Sequence, residues 1–452
     1  MGARRLGPLL MFAGVFLGVV LILPPAPLVG STLALQQVLT PGRPEDVGVS
    51  AARLDQAVQL YRDAVDRQDV VGVVMLVAKD GKVVLHEALG WRNVVRGLAM
   101  EKNTLFRMAS NTKPVVATAV SMLVEEGKLS FRDPVGMYIP AFESDGEGDI
   151  LIHHLLSHTS GLRIGSLFMR PYSSPSARHP NAPTLQSEVE RFEPSVAGAV
   201  PGRTFSYSNA GYNILGAVVE IVSGQPLEKF LDDRLYAPLG MHDTYHYEVA
   251  GKLEGKLHRM GAVYSRRDGN GWAASWEPGD PAQVPFVRGS GGMVSTALDY
   301  ATFCQMFLNG GSYNGVRVLS EHTAQIMIKP QDGGAGGGGN QWRFVDYGYG
   351  WIVTNDRTFL HTGFDGTAAI VDPNHNLVVL AFTQTQSRDS LYFEFLARVR
   401  AAIVASNDTD LSAQQSNQPR PESASKFAFL VDLNREADQD CSRLRSYTCI
   451  IR

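Results

Sequence analysis

A serine followed one helical turn later by a lysine opens the stretch "FRMASNTKPVVATAVSMLVEEGK", Phe106 to Lys128. Ser110 and Lys113 therefore share a face. A hydroxyl at the positive end of a helix, beside an amine that apolar burial deprives of its proton, makes a nucleophile and its base. Val115, Val116, Ala119, Val120 and Leu123 form the apolar stripe that would bury this helix. Pro114 is tolerated only near a first turn, so the pattern predicts a helix starting at about Ser110 to Asn111 and ending at Gly127. The plainer alternative is that Ser110 is only an N-cap, and a Ser-x-x-Lys match is expected about once by chance in a chain of this size. Ser423 to Lys426 is a second match, inside a polar tail.

Two further stretches supply partners. In "FSYSNAGYNILGAVVEIVSG", Tyr207 and Asn209 come just before a helix whose core face is Ile214, Leu215, Val218, Val219 and Val222. Two residues apart in extended chain, they point to one side. A phenol near Lys113 could carry a proton to a leaving group, and an amide could orient the acyl carbonyl or the lysine. The alternative is a capping loop with an incidental tyrosine. In "FLHTGFDGTAAIVD", His361, Thr362 and Gly363 sit in a predicted strand, where a glycine at a point of close approach lets backbone lie along a substrate and lend an N–H to an oxyanion.

Other chemistries are less well supplied. His154 and His158 are four residues apart, but the Glu of a His-Glu-x-x-His site is absent, which favours structural roles and no metal. The glycine tract Asp332 to Gln341 lacks the Lys-Ser/Thr of a phosphate loop and reads as a mobile loop. No Gly-x-Ser-x-Gly elbow appears, which counts against an α/β-hydrolase. No cofactor is implied.

The elements that must position these residues follow from periodicity. "SAARLDQAVQLYRDAVDR" reads as an amphipathic helix capped by Ser50, with Leu54, Val58, Tyr61 and Val65 on one face. Val70 to Gly90 reads as a β-hairpin turning at Asp80-Gly81. From about Ser110 to about Lys329 the spacing is mainly helical, Tyr347 to Gln384 returns to strands, and a last helix runs from about Ser390 to Val404. The economical solution is an α+β fold: one antiparallel sheet built from both ends of the chain and flanked by helices, with a large helical subdomain inserted and a cleft between. Residues 40–405 would form this domain. The long Pro- and Ser-rich segment Arg163 to Gly202 would border the cleft.

The 452-residue chain is 44% hydrophobic and 19% charged, with a formal net charge of −4, so it has material for a large core and no basic footprint for nucleic acid. Residues 1–34 place Arg4 and Arg5 before an apolar run, Leu6 to Leu23, a pattern for a secretory signal or an uncleaved membrane anchor. Export to a periplasmic or extracellular space is the expectation. Cys304 shares a helical stripe with Tyr300, Phe303 and Phe307 and reads as core. Cys441 and Cys449 are close enough in sequence for a disulfide in an oxidising compartment, within a polar tail, 406–452, of linker composition.

Ser110-x-x-Lys113, Tyr207-x-Asn209 and His361-Thr362-Gly363, in this order, resemble the serine β-lactamase and penicillin-binding protein superfamily, above all the class C β-lactamase-related branch with its family VIII esterases and D-amino-acid peptidases. "HHLLSHTSGL" from His153, "LYAPLGMHDT" from Leu235 and "GSGGMVSTALDYATF" from Gly289 are similar to that branch too, over about Pro44 to Val404. The resemblance implies a β-lactamase/transpeptidase-like fold and an acyl-enzyme on Ser110. Lys113 and Tyr207 would be the proton-transfer pair, Asn209 would position substrate, and the backbone N–H groups of Ser110 and Phe364 would form the oxyanion hole. His361 stands where the commoner lactamase pattern has lysine, and a largely neutral imidazole holds a carboxylate less firmly than an ammonium. Ester hydrolysis is therefore the first expectation. β-Lactamase and D-alanyl-D-alanine carboxypeptidase or D-aminopeptidase activities come next, with β-lactams or D-amino-acid peptides as substrates. A penicillin- or peptidoglycan-sensing receptor that acylates without turnover is the alternative from another class.

Overall fold

The computed structural model describes residues 38–143, 149–162, 184–190, 200–266, 271–282, 284–331, 345–386 and 391–404. Outside them lie the run Leu6 to Leu23, most of Arg163 to Gly202, the tract Asp332 to Gln341, and the tail with Ser423, Lys426, Cys441 and Cys449.

Helix α1 (Ala51–Asp66) begins at Ser50, whose hydroxyl accepts from the Arg53 N–H, and buries Leu54, Val58 and Tyr61. Strands β1 (Gly72–Lys79) and β2 (Lys82–Asn93) are joined through Asp80 and Gly81, both with positive φ (50° and 74°). That is the backbone twist a two-residue hairpin turn requires. After β3 (Phe106–Arg107) come a 3₁₀ turn, Ala109–Asn111, and helix α2 (Thr112–Glu125). The regular helix thus starts just after Ser110. Helix α3 (Asn209–Ser223), short strands β4 (Tyr245–His246) and β5 (Met293–Ser295), and helix α4 (Ala297–Leu308) belong to the inserted part, along with several shorter helices. The chain then returns through β6 (Val345–Tyr347), β7 (Ile352–Thr354), β8 (Phe359–Gly363), β9 (Thr367–Asp372) and β10 (Leu377–Phe382) to helix α5 (Leu391–Ala402).

Both ends of the chain meet in one nine-stranded sheet of order β2-β1-β10-β9-β8-β7-β6, with Thr40–Pro41 and Leu98–Ala99 added on β2. Its pairings are antiparallel except that Thr40–Pro41 runs parallel to β2, a departure from the purely antiparallel expectation. The inserted part is also not wholly helical: β3 and β4 flank β5 in a small sheet, and Val263–Arg266 pairs with Trp272–Trp276. Strands of two to five residues are too short to print a period-2 pattern.

The central strands read as continuous apolar runs because both faces are covered. On β1, Val73, Met75 and Val77 join the layer of α1 and α5, where Tyr61 meets Phe395 edge-on at 5.4 Å. Val74, Leu76 and Ala78 face the larger core shared with α2, α3 and α4. Cys304 is fully buried in that core, and burial pushes its thiol far above the ordinary range, away from reactivity.

Gly363 ends β8 against the nucleophile's segment. A Cβ there would lie 2.4 Å from Met108 O and 2.3 Å from Thr367 Oγ1, so the close approach is to the protein's own backbone. The Thr367 hydroxyl donates to the same Met108 carbonyl at 3.2 Å. Gly363→Ala is expected to separate β8 from the Ser110 turn and cost about 1–3 kcal/mol, read as a lower urea midpoint, with a loss of activity in the variant that still folds.

Candidate active site

The segment Ala109–Asn111 is bent by Ala109, a non-glycine residue at φ 45°, which costs about 1–2 kcal/mol of backbone strain and sits beside the candidate nucleophile. Ser110 is not the cap of α2. That position is Asn111, without a side-chain capping bond. The Ser110 hydroxyl is instead 3.0 Å from Lys113 Nζ and hydrogen-bonded with the Tyr207 phenol.

Lys113 is fully buried in the first turn of α2. Its Nζ donates to Asn209 Oδ1 at 2.6 Å and to the Ser290 carbonyl at 3.1 Å, and it lies 4.7 Å from the Tyr207 ring centroid. Burial, and then the positive charge of Arg288, push its pKa well below 10.5. Both causes act in one direction because desolvation and a like charge each disfavour the ammonium.

Tyr207 and Asn209 do converge on Lys113, although Asn209 is already the first residue of α3 and not in extended chain. Ser208 between them is the N-cap, its hydroxyl accepting from the Gly211 N–H at 3.1 Å. Burial raises the Tyr207 phenol well above its ordinary value, with the Ser110 hydrogen bond acting the other way, so it stays protonated near neutrality. The His158 imidazole packs 4.3 Å from the Tyr207 ring and accepts at Nδ1 from the Ser208 N–H at 3.0 Å, fixing the chain between Tyr207 and Asn209. His154 serves elsewhere, accepting at Nδ1 from the Leu151 N–H.

His361 has both ring nitrogens engaged. Nδ1 is 2.9 Å from the Thr362 carbonyl and must therefore carry the hydrogen, leaving Nε2 to accept from the Tyr347 hydroxyl at 3.1 Å. Burial first, and the Lys113 charge second, bring its pKa down to about 3. The imidazole is thus neutral near pH 7. Thr362 is half-buried on the same strand. The backbone N–H groups of Ser110 and Phe364 donate to no described residue, and the Gly363–Met108 contact brings their segments side by side.

The fold brings Ser110, Lys113, Tyr207 and Asn209 together, with the His361 ring 6.4 Å from that of Tyr207. Ser290, His158, Tyr347 and Arg288 also carry parts of the site; Ser290 and His158 fall inside stretches similar to the family, while no local pattern announces Tyr347 and Arg288.

The model of the Beta-lactamase family matches residues 57–402, and the chain belongs to that family of β-lactamase-fold serine hydrolases. Protein Rv1367c of Mycobacterium tuberculosis (strain ATCC 25618 / H37Rv) is 34% identical over 285 residues, 59% of this chain and 69% of its own. A protein of Escherichia coli (strain K12) described as "Putative D-alanyl-D-alanine carboxypeptidase" is 28% identical over 398 residues, 77% of this chain and 86% of its own. Among solved structures, the octameric penicillin-binding protein homologue from Pyrococcus abyssi superposes with a TM-score of 0.62 at 25% identity, over 76% of this chain and 77% of that one.

Proposed function

We propose that this serine hydrolase acts chiefly on carboxylic esters through an acyl-enzyme on Ser110. The observation that carries the preference is His361: a neutral ring with both nitrogens engaged offers no charge to a carboxylate beside β8. Esters need no such anchor.

In the proposed reaction the two carbonyl oxygens of Asn209 and Ser290 take the N–H groups of neutral Lys113, and its lone pair faces Ser110. The Ser110 proton passes to Lys113 Nζ as Oγ bonds to the ester carbonyl carbon, and the oxyanion is held by the N–H groups of Ser110 and Phe364. As the tetrahedral species collapses, the C–O bond to the alcohol breaks and the alkoxide receives a proton from Tyr207, which is replenished from Lys113. Water then adds to the acyl-enzyme by the same relay, freeing the acid and restoring Ser110. His361, Thr362 and Gly363 line the substrate from β8. The arginines and apolar run of residues 1–34 support an exported location, periplasmic or secreted, with membrane anchoring through residues 6–23 as the variant form.

The likeness to the Escherichia coli protein favours a second reading, D-alanyl-D-alanine carboxypeptidase. One assay separates the two: kcat/KM of the full-length chain for p-nitrophenyl butanoate, for nitrocefin and for a D-Ala-D-Ala tripeptide. The ester is expected to exceed the other two by at least about 30-fold, the discrimination that about 2 kcal/mol of lost anion binding gives. Equal or faster turnover of the peptide or the lactam would replace the ester reading.

A further inference from the structure

A set of charged side chains beside the Ser110 constellation, among them the Arg288 whose charge acts on Lys113, lines a pocket of its own. Arg107, Tyr247, Glu248, Trp276, Arg288 and Gly292 line a small recess of about 20 Å³. None of the aromatic cluster around His361 belongs to it. The pocket nonetheless adjoins the nucleophile: Arg107 is on β3, just before the Ser110 turn, and Gly292 follows Ser290, whose carbonyl accepts from Lys113. The Met108 N–H donates to Met293 O at 2.8 Å and joins these two walls beside Ser110.

The two guanidinium groups are held by single-point pairings. Arg288 Nε donates to Glu248 Oε1 at 2.9 Å, and Arg107 Nε lies 3.2 Å from Asp365 Oδ2 while its Cζ stacks 4.7 Å from the Trp276 ring centroid. Arginine–carboxylate pairs frequently close bidentately, and these two do not. Here Glu248 Oε2 is buried with no hydrogen-bond partner, and the Nη groups of both arginines donate to no described residue. Their side chains are 22% (Arg107) and 15% (Arg288) exposed, sheltered from bulk water yet within reach of a ligand in the pocket. Two oriented guanidinium forks form a receptor for a planar oxyanion, and the buried Trp276 ring backs that of Arg107.

We propose that this pocket is a carboxylate subsite, in which the ester substrate presents a carboxylate to the Nη groups of Arg107 and Arg288. This rests on the ester-hydrolase reading and narrows it to esters carrying an anion away from β8. Glu248 and Asp365 already offset much of the arginines' charge, which suits a monoanionic carboxylate better than a phosphate dianion.

The test compares kcat/KM for matched esters in the full-length chain, with the carboxylate on either side of the scissile bond: 3-carboxyphenyl butanoate against phenyl butanoate, and p-nitrophenyl hydrogen adipate against p-nitrophenyl hexanoate. The expected result is a preference of about tenfold or more for the charged member of at least one pair, shrinking as salt is added. Arg288→Gln is expected to reduce that ratio at least about fivefold, and Arg107→Lys, which keeps the charge without the fork, to reduce it less than Arg107→Gln does. A ratio within one protein does not depend on how much of a variant is folded. No preference in either pair, or a ratio untouched by Arg288→Gln and Arg107→Gln, overturns the subsite while Ser110-dependent turnover of the neutral esters leaves the ester reading standing. Absence of turnover for all four esters overturns both.

Discussion

Ser110→Ala is expected to lower kcat/KM for p-nitrophenyl butanoate by about 10⁴-fold or more, leaving only what the oxyanion N–H groups and binding supply. The thermal midpoint should barely move. Alanine removes one oxygen whose partners, Lys113 and Tyr207, lie beside one another, and Lys113 keeps Asn209 and Ser290. The competing view of Ser110 as a helix cap makes the opposite forecast: a stability loss of about 1 kcal/mol and retained turnover. Initial rates and a melting curve on the same preparation separate the two. The structure already weighs against the cap, since Asn111 occupies that position.

Lys113 gives the second large effect. Lys113→Met should reduce kcat by about 10³-fold or more, and Lys113→Arg by nearly as much, because a guanidinium stays protonated and cannot accept the serine proton. The pH dependence follows from the sign of the shift. The base is the neutral amine, and burial and Arg288 lower its pKa well below 10.5, so activity falls only as pH drops through that depressed value and is level above it. A lysine titrating at its ordinary value would instead give a rate still rising with pH through 9 and 10. Linkage adds a stability signature. Between the depressed pKa and 10.5 the unfolded chain binds a proton that the folded chain does not, so burying Lys113 costs stability there and the cost fades as pH approaches 10.5. A pH–rate profile that climbs through 9 to 10 would remove Lys113 as the base.

Local chemistry was legible wherever a few adjacent residues determine it. Asp80-Gly81 can adopt the positive φ values of a two-residue hairpin turn, Ser50 can cap a helix, and Leu54, Val58 and Tyr61 recur at helical spacing; each is found in place. Ser110 and Lys113 were readable because one turn of helix brings them together. Tyr207 was readable as a partner, but the start of α3 at Asn209 was not, because a cap at Ser208 competes with two residues of extended chain. Gly363 was legible as a point of close approach, but not that the backbone its missing Cβ admits is that of Met108, which only the folded chain brings near. The same limit applies to Tyr347 on His361 and to Arg288 near Lys113. These are contacts across long stretches of sequence, set by how β6, β8 and the turn before β5 pack, and they leave no periodic trace.

The most direct test of the acyl-enzyme is mass spectrometry of the full-length chain quenched in acid milliseconds to seconds after mixing with p-nitrophenyl butanoate. The mechanism predicts one butanoyl group on the peptide containing Ser110, absent from Ser110→Ala and lost as turnover proceeds. Steady turnover accompanied by an adduct on another residue, or a Ser110 adduct that persists without turnover, would contradict it.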